Sequence, residues 1–516
     1  MHNNSRTQNS IINSFFGMTA YLFVMVTTMA TRIAFARYLG EELLGLNSLY
    51  TSVLQILQIT ELGISNAMII FLYEPVKNAD REKTKALIHL YKNVYNIFAG
   101  FLLLLGLGVQ FFIIPHIVNV NTIDMKNVQG YFFLFLMAIV CSYLYAYNKS
   151  IFYAEQKNRI ISIVNAAQKV IVGILQVVVI YKFKNYYIFL LLMIAGNLTE
   201  NLICHFMVLK EHPYLSENVS EKLNKTEQKK ILDLIKPIFV VRIADKVLSQ
   251  SDSLIINGFI DIITLGMYTN YHTIFNACIG LYNPIGSALT SSYGNLAVDA
   301  NAKEKYTAYL KSYAPFHYIA VVFSCLFLAF IQDFIYIAYG ARYVLSDSLS
   351  IVMTVYVYLT LVKTIYYSYQ NAMGLHKLDQ KQMIAQVPFN IVISIILAKM
   401  IGLNGIIIGT ILSILIFSFG FKGKYLYEFA FHEDTKKYFW KTTKDFTLSG
   451  FLFAVVYLFT CRFRTISIGA FILKVIVMSI CIGLVSLVLF SIDREFREFV
   501  LGLQRKLLKN KTKSEK

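Results

Sequence analysis

A set of charged and hydrogen-bonding side chains lies in a stretch of sequence that is apolar enough to cross a lipid bilayer. Between Val240 and Asn257 these side chains are Arg242, Asp245, Lys246, Ser249, Asp252, Ser253 and Asn257. On a helix the seven fall within an arc of about 160°, so one face can be polar while the apolar residues face lipid or other helices. An ionisable group at membrane depth costs about 2.5 to 3.5 kcal/mol, and it therefore faces a bundle interior or a water-filled cavity by default. The stretch predicts one wall of a polar cavity.

Other apolar segments carry polar stripes at helical spacing. They are Asn47, Thr51, Gln55, Gln58, Glu61 and Ser65; Tyr268, His272, Asn276 and Asn283; and Asn165, Gln168, Lys169 and Gln176, with single cations at Arg32 and Lys363. Alternative interpretations stay open for them. Long cations near a helix end can reach the interface, amide and hydroxyl stripes can join helices, Asp245 can neutralise Arg242 within the helix, and a histidine such as His272 is more often structural.

The charges at membrane depth do not balance. The cations Arg32, Lys169, Arg242, Lys246 and Lys363 outnumber the carboxylates Glu61, Asp245 and Asp252 by two. A cavity with this surplus suits an anionic ligand, and guanidinium groups suit phosphate in particular. Burial can raise the pKa of a carboxylate toward neutrality, so Glu61 or Asp252 is the expected carrier of a coupling proton.

Composition excludes an ordinary soluble domain. The chain is 56% hydrophobic and 15% charged, with a mean hydropathy of +0.55. The six cysteines lie singly, without zinc or disulfide spacing. The sequence has no phosphate-binding loop of the ATPase type and no catalytic constellation in an outer loop. We therefore expect that the protein is not an enzyme and uses no cofactor. Transport would be driven by the substrate gradient, by an ion such as a proton or Na⁺, or by the membrane potential.

Fourteen windows of about 20 apolar residues can be placed along the chain, which predicts an all-α polytopic membrane protein. The windows are 11–36, 43–72, 86–114, 130–150, 158–181, 186–208, 237–258, 262–289, 310–331, 348–370, 384–401, 403–421, 446–462 and 467–490. Lysine and arginine are concentrated in alternate connections and in the tail. The positive-inside rule then places both termini in the cytoplasm. The net charge of +18 reflects these loops, so we expect no nucleic-acid partner.

An internal repeat divides the chain into two halves. Leu44, Gly45 and Leu46 recur as Leu265, Gly266 and Met267 at an offset of 221, and Tyr147 matches Tyr369 at an offset of 222. Six helices separate equivalent positions, so the repeat is parallel. The predicted organisation is an N-lobe at 1–208, a cytoplasmic loop at 209–236, a C-lobe at 237–424, two accessory helices within 425–490 and a basic tail at 491–516.

The first two helices resemble the polysaccharide-biosynthesis flippase family, which includes the O-antigen and capsule repeat-unit flippases. The resemblance rests on a loose pattern of glycine, acidic and apolar positions: Arg32, Arg37 to Glu41, Gly45 to Leu49 and Glu61 to Ala67. The resemblance covers essentially the full length of the chain. It also places the chain in the superfamily of the multidrug and toxic-compound (MATE) extruders.

This resemblance implies two six-helix lobes in a V shape, a central cavity lined by helices one, two, seven and eight, and alternating access. It implies that an undecaprenyl-pyrophosphate-linked oligosaccharide is flipped across the bacterial cytoplasmic membrane for surface polysaccharide synthesis, by a monomer, beside glycosyltransferases and a polymerase. Arg32, Arg242 and Lys246 would hold the pyrophosphate, with Lys169 and Lys363 as weaker candidates. Sugar hydroxyls would meet Asn47, Gln55, Gln58, His272 and Asn276. A cation-coupled multidrug exporter is the first alternative, and a membrane-bound polymerase or ligase is the second.

Overall fold

The structure is a computed structural model, and it describes residues 6–58, 64–217, 223, 225–373 and 376–502. In this part of the chain the secondary structure is helical and no β-strand occurs. The chain is an all-α, multi-pass membrane protein. Its Cα positions form two compact units, Met1–Thr269 and Asn270–Lys516, which divide inside one helix.

The first unit contains ten helices and the start of an eleventh among its described residues. They are α1 (Arg6–Leu39), α2 (Glu41–Leu57), α3 (Ile64–Lys77), α4 (Arg81–Gly108), α5 (Ile114–Ile117), α6 (Met125–Tyr143), α7 (Lys149–Ala154), α8 (Asn158–Phe183), α9 (Tyr186–Glu211), α10 (Lys225–Phe259) and α11 (Ile262–Asp299). A π-helical turn at Val109–Ile113 joins α4 to α5, and 3₁₀ turns occur at Ala146–Asn148 and Pro213–Ser216.

The second unit begins within α11 and continues with six helices over the residues described. They are α12 (Ala302–Tyr339), α13 (Asp347–Ala372), α14 (His376–Ile401), α15 (Leu403–Ser413), α16 (Thr435–Thr460) and α17 (Ile468–Phe490). A 3₁₀ turn at Ala341–Tyr343 joins α12 to α13, and π-helical segments at Ile414–Gly423 and Leu426–Phe431 extend α15 toward α16.

Glycines with positive φ separate consecutive helices. Gly40 (φ 90°) lies between α1 and α2, Gly340 (φ 105°) ends α12, and Gly402 (φ 64°) lies between α14 and α15. Only glycine adopts such angles without a steric penalty from Cβ. The sequence predicts that one helix ends and the next begins at Gly402, and the structure confirms this boundary.

Ten helical runs of the described chain are long and apolar enough to cross a membrane. They are Phe16–Leu39, Arg81–Ile117, Met125–Ala154, Asn158–Phe183, Tyr186–Glu211, Ala302–Tyr339, Asp347–Ala372, Lys381–Ile401, Leu403–Phe431 and Ile468–Phe490. The predicted windows at 43–72, 237–258, 262–289 and 446–462 are not among these ten, so the count of fourteen stays a prediction. The division of the units at Thr269 differs from the predicted lobe boundary at 209–236, and the lobe boundaries also stay predictions.

Tyrosine dominates the buried cores of both units. Among the described residues, the largest fully buried side chains are all tyrosines. In the first unit Tyr50 packs edge-on against Phe132 at 5.3 Å and donates a hydrogen bond of 2.8 Å to the Val128 carbonyl oxygen. In the second unit Tyr438 donates to the Phe419 carbonyl oxygen at 2.6 Å. These rings bury apolar area while their hydroxyls find backbone acceptors, as buried tyrosines require.

Candidate functional site

Arg32 is held where α1, α2 and the start of α11 meet. Its Nη2 donates to the Ser48 hydroxyl at 3.3 Å and to the Thr269 hydroxyl, and these two hydroxyls share a hydrogen bond of 2.8 Å. Ser48 is buried. Two hydroxyls thus orient a guanidinium at the junction of three helices.

Two glycines permit this junction. A Cβ added to Gly45 on α2 would overlap the carbonyl oxygen of Ile262, and one added to Gly266 would lie 2.9 Å from the Gly45 nitrogen. Small residues allow membrane helices to approach backbone to backbone. Gly45 with Gly266, and Ser48 with Thr269, are equivalent positions of the predicted repeat at the offset of 221. Equivalent positions of the repeat therefore meet each other at this crossing.

The polar stripe of α2 makes contacts in different directions. Asn47 accepts a hydrogen bond of 3.0 Å from the hydroxyl of Tyr186 on α9. Gln55 accepts a long hydrogen bond of 3.5 Å from Lys246 on α10. Gln58 caps the C-terminal end of α2. Glu61 lies outside the described residues.

The charged stripe of α10 changes character along the helix. Arg242 and Asp245 are exposed, Lys246 is half-buried, and Asp252 is 5% exposed. Asn257 donates a hydrogen bond of 2.8 Å to the Ile117 carbonyl oxygen, so the far end of the stripe serves helix packing. The structure joins Lys246 to the α2 stripe.

The remaining predicted site residues are distributed over three other helices. Lys169 on α8 is exposed. In the second unit the amide of Asn276 lies 3.1 Å from Nδ1 of His272, whose ring stacks on Phe275 at 5.1 Å. Lys363 on α13 is half-buried. A single cavity that contains all of these residues stays a prediction.

Sequence reasoning missed a buried ion pair between α12 and α17. Lys474 Nζ lies 2.7 Å from a carboxylate oxygen of Asp333, and both side chains are less than 10% exposed. The same oxygen of Asp333 accepts from the backbone nitrogen of Thr465 at 3.2 Å and from its hydroxyl at 2.8 Å. Lys474 within the apolar window 467–490 was the available signal, since a lone charge at that depth needs a partner.

Two cavities formed by described residues lie within single units, and the described residues that line them include no predicted site residue. One has a volume of about 550 Å³ in the first unit, between α3, α4, α6, α7 and α9. The other, of about 520 Å³ in the second unit, is lined by α12, α16 and the end of α17. In the second cavity Lys441 lies over the Tyr313 ring at 5.0 Å and 3.8 Å from Asp493.

One group of described side chains has the composition of a metal site, Glu155, Glu211 and His212. The Lys157 amino group lies 2.9 Å from Glu155 and also pairs with Glu211, and His212 lies 3.0 Å from Glu155. Burial would raise the pKa of Glu155, but hydrogen bonds from His212 and Lys157 outweigh it and hold the pKa below its ordinary value. An ammonium group thus already supplies the positive charge here, and an ion would have to compete with it.

Solved membrane transporters share this fold. A lipid II flippase, MurJ, in an inward closed conformation aligns with a TM-score of 0.67 at 16% identity, over 94% of this chain and 99% of its own. An inward-facing multidrug resistance MATE transporter of the MOP superfamily aligns with a TM-score of 0.61 at 14% identity, over 78% and 95%. The Vibrio cholerae MATE transporter VcmN aligns with a TM-score of 0.55 at 13% identity, over 80% and 96%. At these identities the likeness shows the fold.

The sequence itself matches a family model. The model is described as polysaccharide biosynthesis protein, and it matches residues 8–290. No curated protein matches the chain. The family match spans more than half of the 516 residues and includes the junction of Arg32, Ser48 and Thr269. The chain belongs to the polysaccharide biosynthesis protein family.

Proposed function

We propose that the chain is a flippase that moves an undecaprenyl-pyrophosphate-linked oligosaccharide from the cytoplasmic to the outer leaflet of the bacterial cytoplasmic membrane by alternating access. The observation that carries the proposal is the extent of the fold likeness. It reaches 94% of this chain for the lipid II flippase but 78% and 80% for the two MATE transporters. This difference is expected if α16 and α17 have counterparts in a transporter of lipid-linked substrates.

The positive side chains of α1 and α10 suit the anionic part of such a substrate. Hydroxyls of Ser48 and Thr269 orient the Arg32 guanidinium, and a planar guanidinium binds phosphate oxygens through paired hydrogen bonds. Arg242 is exposed, and Lys246 is half-buried beside Gln55. We assign Arg32, Arg242 and Lys246 to the pyrophosphate.

The remaining predicted residues keep secondary roles in the proposal. Lys169 and Lys363 are weaker anion contacts. Asn47, Gln55, Gln58, His272 and Asn276 would meet sugar hydroxyls. A carboxylate, Asp252 or Glu61, would carry a proton if transport is proton-coupled.

Transport of lipid-linked substrate by reconstituted protein tests the proposal. Full-length protein would be reconstituted in liposomes that contain a fluorescent polyprenyl-pyrophosphate-linked sugar. Flipping would be measured as the loss of fluorescence when the labelled sugar reaches the outer leaflet, where an added enzyme or quencher acts on it. We expect the double substitution Arg32→Ala with Arg242→Ala to lower the rate at least about tenfold, because each hydrogen bond to a charged group contributes roughly 1.5 to 3 kcal/mol.

The matched control is the removal of a cation that lies outside the proposed anion site. Arg462, in the connection between α16 and α17, is exposed, and Arg462→Ala should transport at the unsubstituted rate. Normal transport by the Arg32 and Arg242 double variant would refute the anion-site assignment. Absence of lipid transport by active, folded protein that instead exports cationic dyes would refute the flippase and favour the multidrug exporter.

A further inference from the structure

The 550 Å³ cavity of the first unit lies at a break in a membrane helix. The run Met125–Ala154 is long and apolar enough to span the bilayer, yet α6 ends at Tyr143 and Leu144 is extended, with ψ 126°. Tyr145 has a left-handed backbone with φ 64°. Irregular backbone at membrane depth is tolerated where it is buried in protein or lines a cavity. A bulky residue in this conformation costs roughly 1 to 3 kcal/mol, and such strain is concentrated at functional sites.

Asparagines from α9 donate hydrogen bonds to carbonyl groups at the break and one turn before it. The amide of Asn201 donates to the carbonyl oxygens of Ser142 at 2.7 Å and Leu144 at 2.8 Å, and Asn197 donates to Ala138 at 2.9 Å. Asn201 is 2% exposed. The break is thus held in place by a neighbouring helix, so the irregular segment is a specified part of the fold.

The wall of the cavity is aromatic and polar together. Four tyrosines line it, Tyr91, Tyr95, Tyr147 and Tyr153, and its volume lies within the roughly 300 to 1,000 Å³ of small-molecule sites. Tyr91 is 1% exposed, and its buried hydroxyl has no hydrogen-bond partner among the described residues. An unmade hydrogen bond of this kind costs roughly 1 to 3 kcal/mol, which a ligand hydroxyl would recover.

The charges that line the cavity compensate each other. Lys149 Nζ lies 2.6 Å from one carboxylate oxygen of Glu200, and Asn165 donates to the other at 3.1 Å. A free anion would have to displace Glu200 from the lysine, and a free cation would have to displace Lys149 from the carboxylate. The lining therefore suits a neutral molecule with many hydrogen-bonding groups and at least one apolar face.

We propose that this cavity binds a neutral sugar ring. Tyrosine rings present flat apolar surface to the C–H face of a pyranose, while its hydroxyls can pair with the Tyr91 hydroxyl, the Lys149 ammonium and the Glu200 carboxylate. The assignment of that sugar to the transported oligosaccharide rests on the proposed flippase function. Binding of a free glycoside does not depend on that function, so the sugar site and the flippase function can be refuted separately.

A single tryptophan makes binding measurable. The chain has one Trp, Trp440, which lies in the second unit. Trp440→Phe with Tyr153→Trp would place the only indole in the wall of the cavity. Full-length protein, in a detergent without a sugar head group, would be titrated with the methyl glycosides of glucose, galactose, N-acetylglucosamine and N-acetylgalactosamine. We expect a saturable change of emission with at least one of them.

Filling the cavity provides the matched variant. Ala146 lines the cavity with a single methyl group, and Ala146→Leu in the reporter background should weaken glycoside binding at least tenfold while the thermal unfolding midpoint stays within a few degrees. Should the reporter protein misfold, saturation-transfer NMR on the unsubstituted chain and on Ala146→Leu supplies the same comparison.

The outcomes separate the hypotheses. The absence of saturable binding by any of the four glycosides to folded protein would overturn the proposal, as would a response to tetramethylammonium alone, which would indicate a cation site. Unchanged affinity in Ala146→Leu would place the sugar elsewhere and overturn it too. Glycoside binding by protein that transports no lipid-linked substrate would refute the flippase and leave the sugar site standing. Lipid transport without glycoside binding would refute the sugar site and leave the flippase function standing.

Discussion

At the scale of single residues, the pair of Asp333 and Lys474 shows how a charge is accommodated within an apolar helix. The lysine ammonium is 2.7 Å from the carboxylate, with side-chain exposures of 8% and 4%, and Thr465 adds two further hydrogen bonds. Both charges are removed from water, so each depends on the other. Removal of one partner leaves a buried charge without compensation.

We predict that Lys474→Met destabilises the protein by about 3 to 5 kcal/mol, the usual cost of a broken buried pair. The double substitution Lys474→Met with Asp333→Asn should recover more than half of that loss, since it leaves no buried charge. Unfolding of the purified protein in detergent, followed by loss of helical circular dichroism, measures both.

The exposed pair of Arg494 and Glu498 is the control for this comparison. Its side chains are 80% and 50% exposed at an N to O distance of 3.1 Å, and exposed pairs contribute roughly 0 to 1 kcal/mol. Arg494→Met should therefore leave stability nearly unchanged. Equal effects of Lys474→Met and Arg494→Met would contradict the role given to the buried pair.

At the scale of helices, the crossing of α2 and α11 depends on the absence of a side chain at one position. We predict that Gly45→Ala lowers stability by at least about 3 kcal/mol, the upper end of the usual cost of overpacking, because the added Cβ would overlap the rigid backbone carbonyl of Ile262. The crossing positions Ser48 and Thr269 around Arg32, so lipid transport should also fall. Thermal unfolding and the liposome assay test the two effects.

Gly100→Ala is the matched control. A Cβ added at Gly100 on α4 meets nothing within 4 Å, and alanine favours a helix by up to about 1 kcal/mol relative to glycine. The control should be neutral or slightly stabilising. A neutral Gly45→Ala would mean that the two helices can separate without loss, contrary to the tight crossing.

The sequence predicted those helix features that depend on local chemistry, and missed those that depend on distant partners. The helix end at Gly402 follows from the positive φ that glycine supplies. The break at Tyr145 contains neither glycine nor proline, and it depends on amides of Asn197 and Asn201 from another helix. Likewise, Lys474 is a lone charge in an apolar run of the sequence. Its partner Asp333 lies 141 positions away in the chain and is adjacent only in the folded structure. Periodicity cannot reveal such pairings.

At the scale of the whole molecule, the sequence predicts an internal repeat from residues that align at a near-constant offset. The match of Gly45 to Gly266 at an offset of 221 came from the sequence alone, and the structure brings those two positions into contact. The number of membrane crossings stays a prediction. Ten runs among the described residues are long and apolar enough to cross a membrane. The polar stripes lower the apolarity of helices such as α10, on which the proposed cavity depends.

Membrane orientation is a property of the whole chain, and the native cysteines can test it. Cys461 is exposed just after α16, in the connection predicted to be outside. Cys141, Cys204 and Cys325 are buried, while Cys278 is half-buried within α11 and Cys481 is exposed within the apolar α17, inside predicted membrane windows. We predict that a membrane-impermeant maleimide labels intact spheroplasts at Cys461 and that Cys461→Ser abolishes this labelling.

The opposite side of the membrane needs an introduced thiol. Ser216 is exposed in the loop that the positive-inside rule places in the cytoplasm, so Ser216→Cys in the Cys461→Ser background should be labelled only after the membrane is opened. The predicted topology would be inverted if that variant were labelled in intact spheroplasts while Cys461 of the unsubstituted protein were protected. The face of α10 that is proposed to bind the anion would then open first to the outside. Uptake from the cytoplasmic side is part of the proposed function, so this measurement tests the proposed direction of transport as well as the arrangement of the helices.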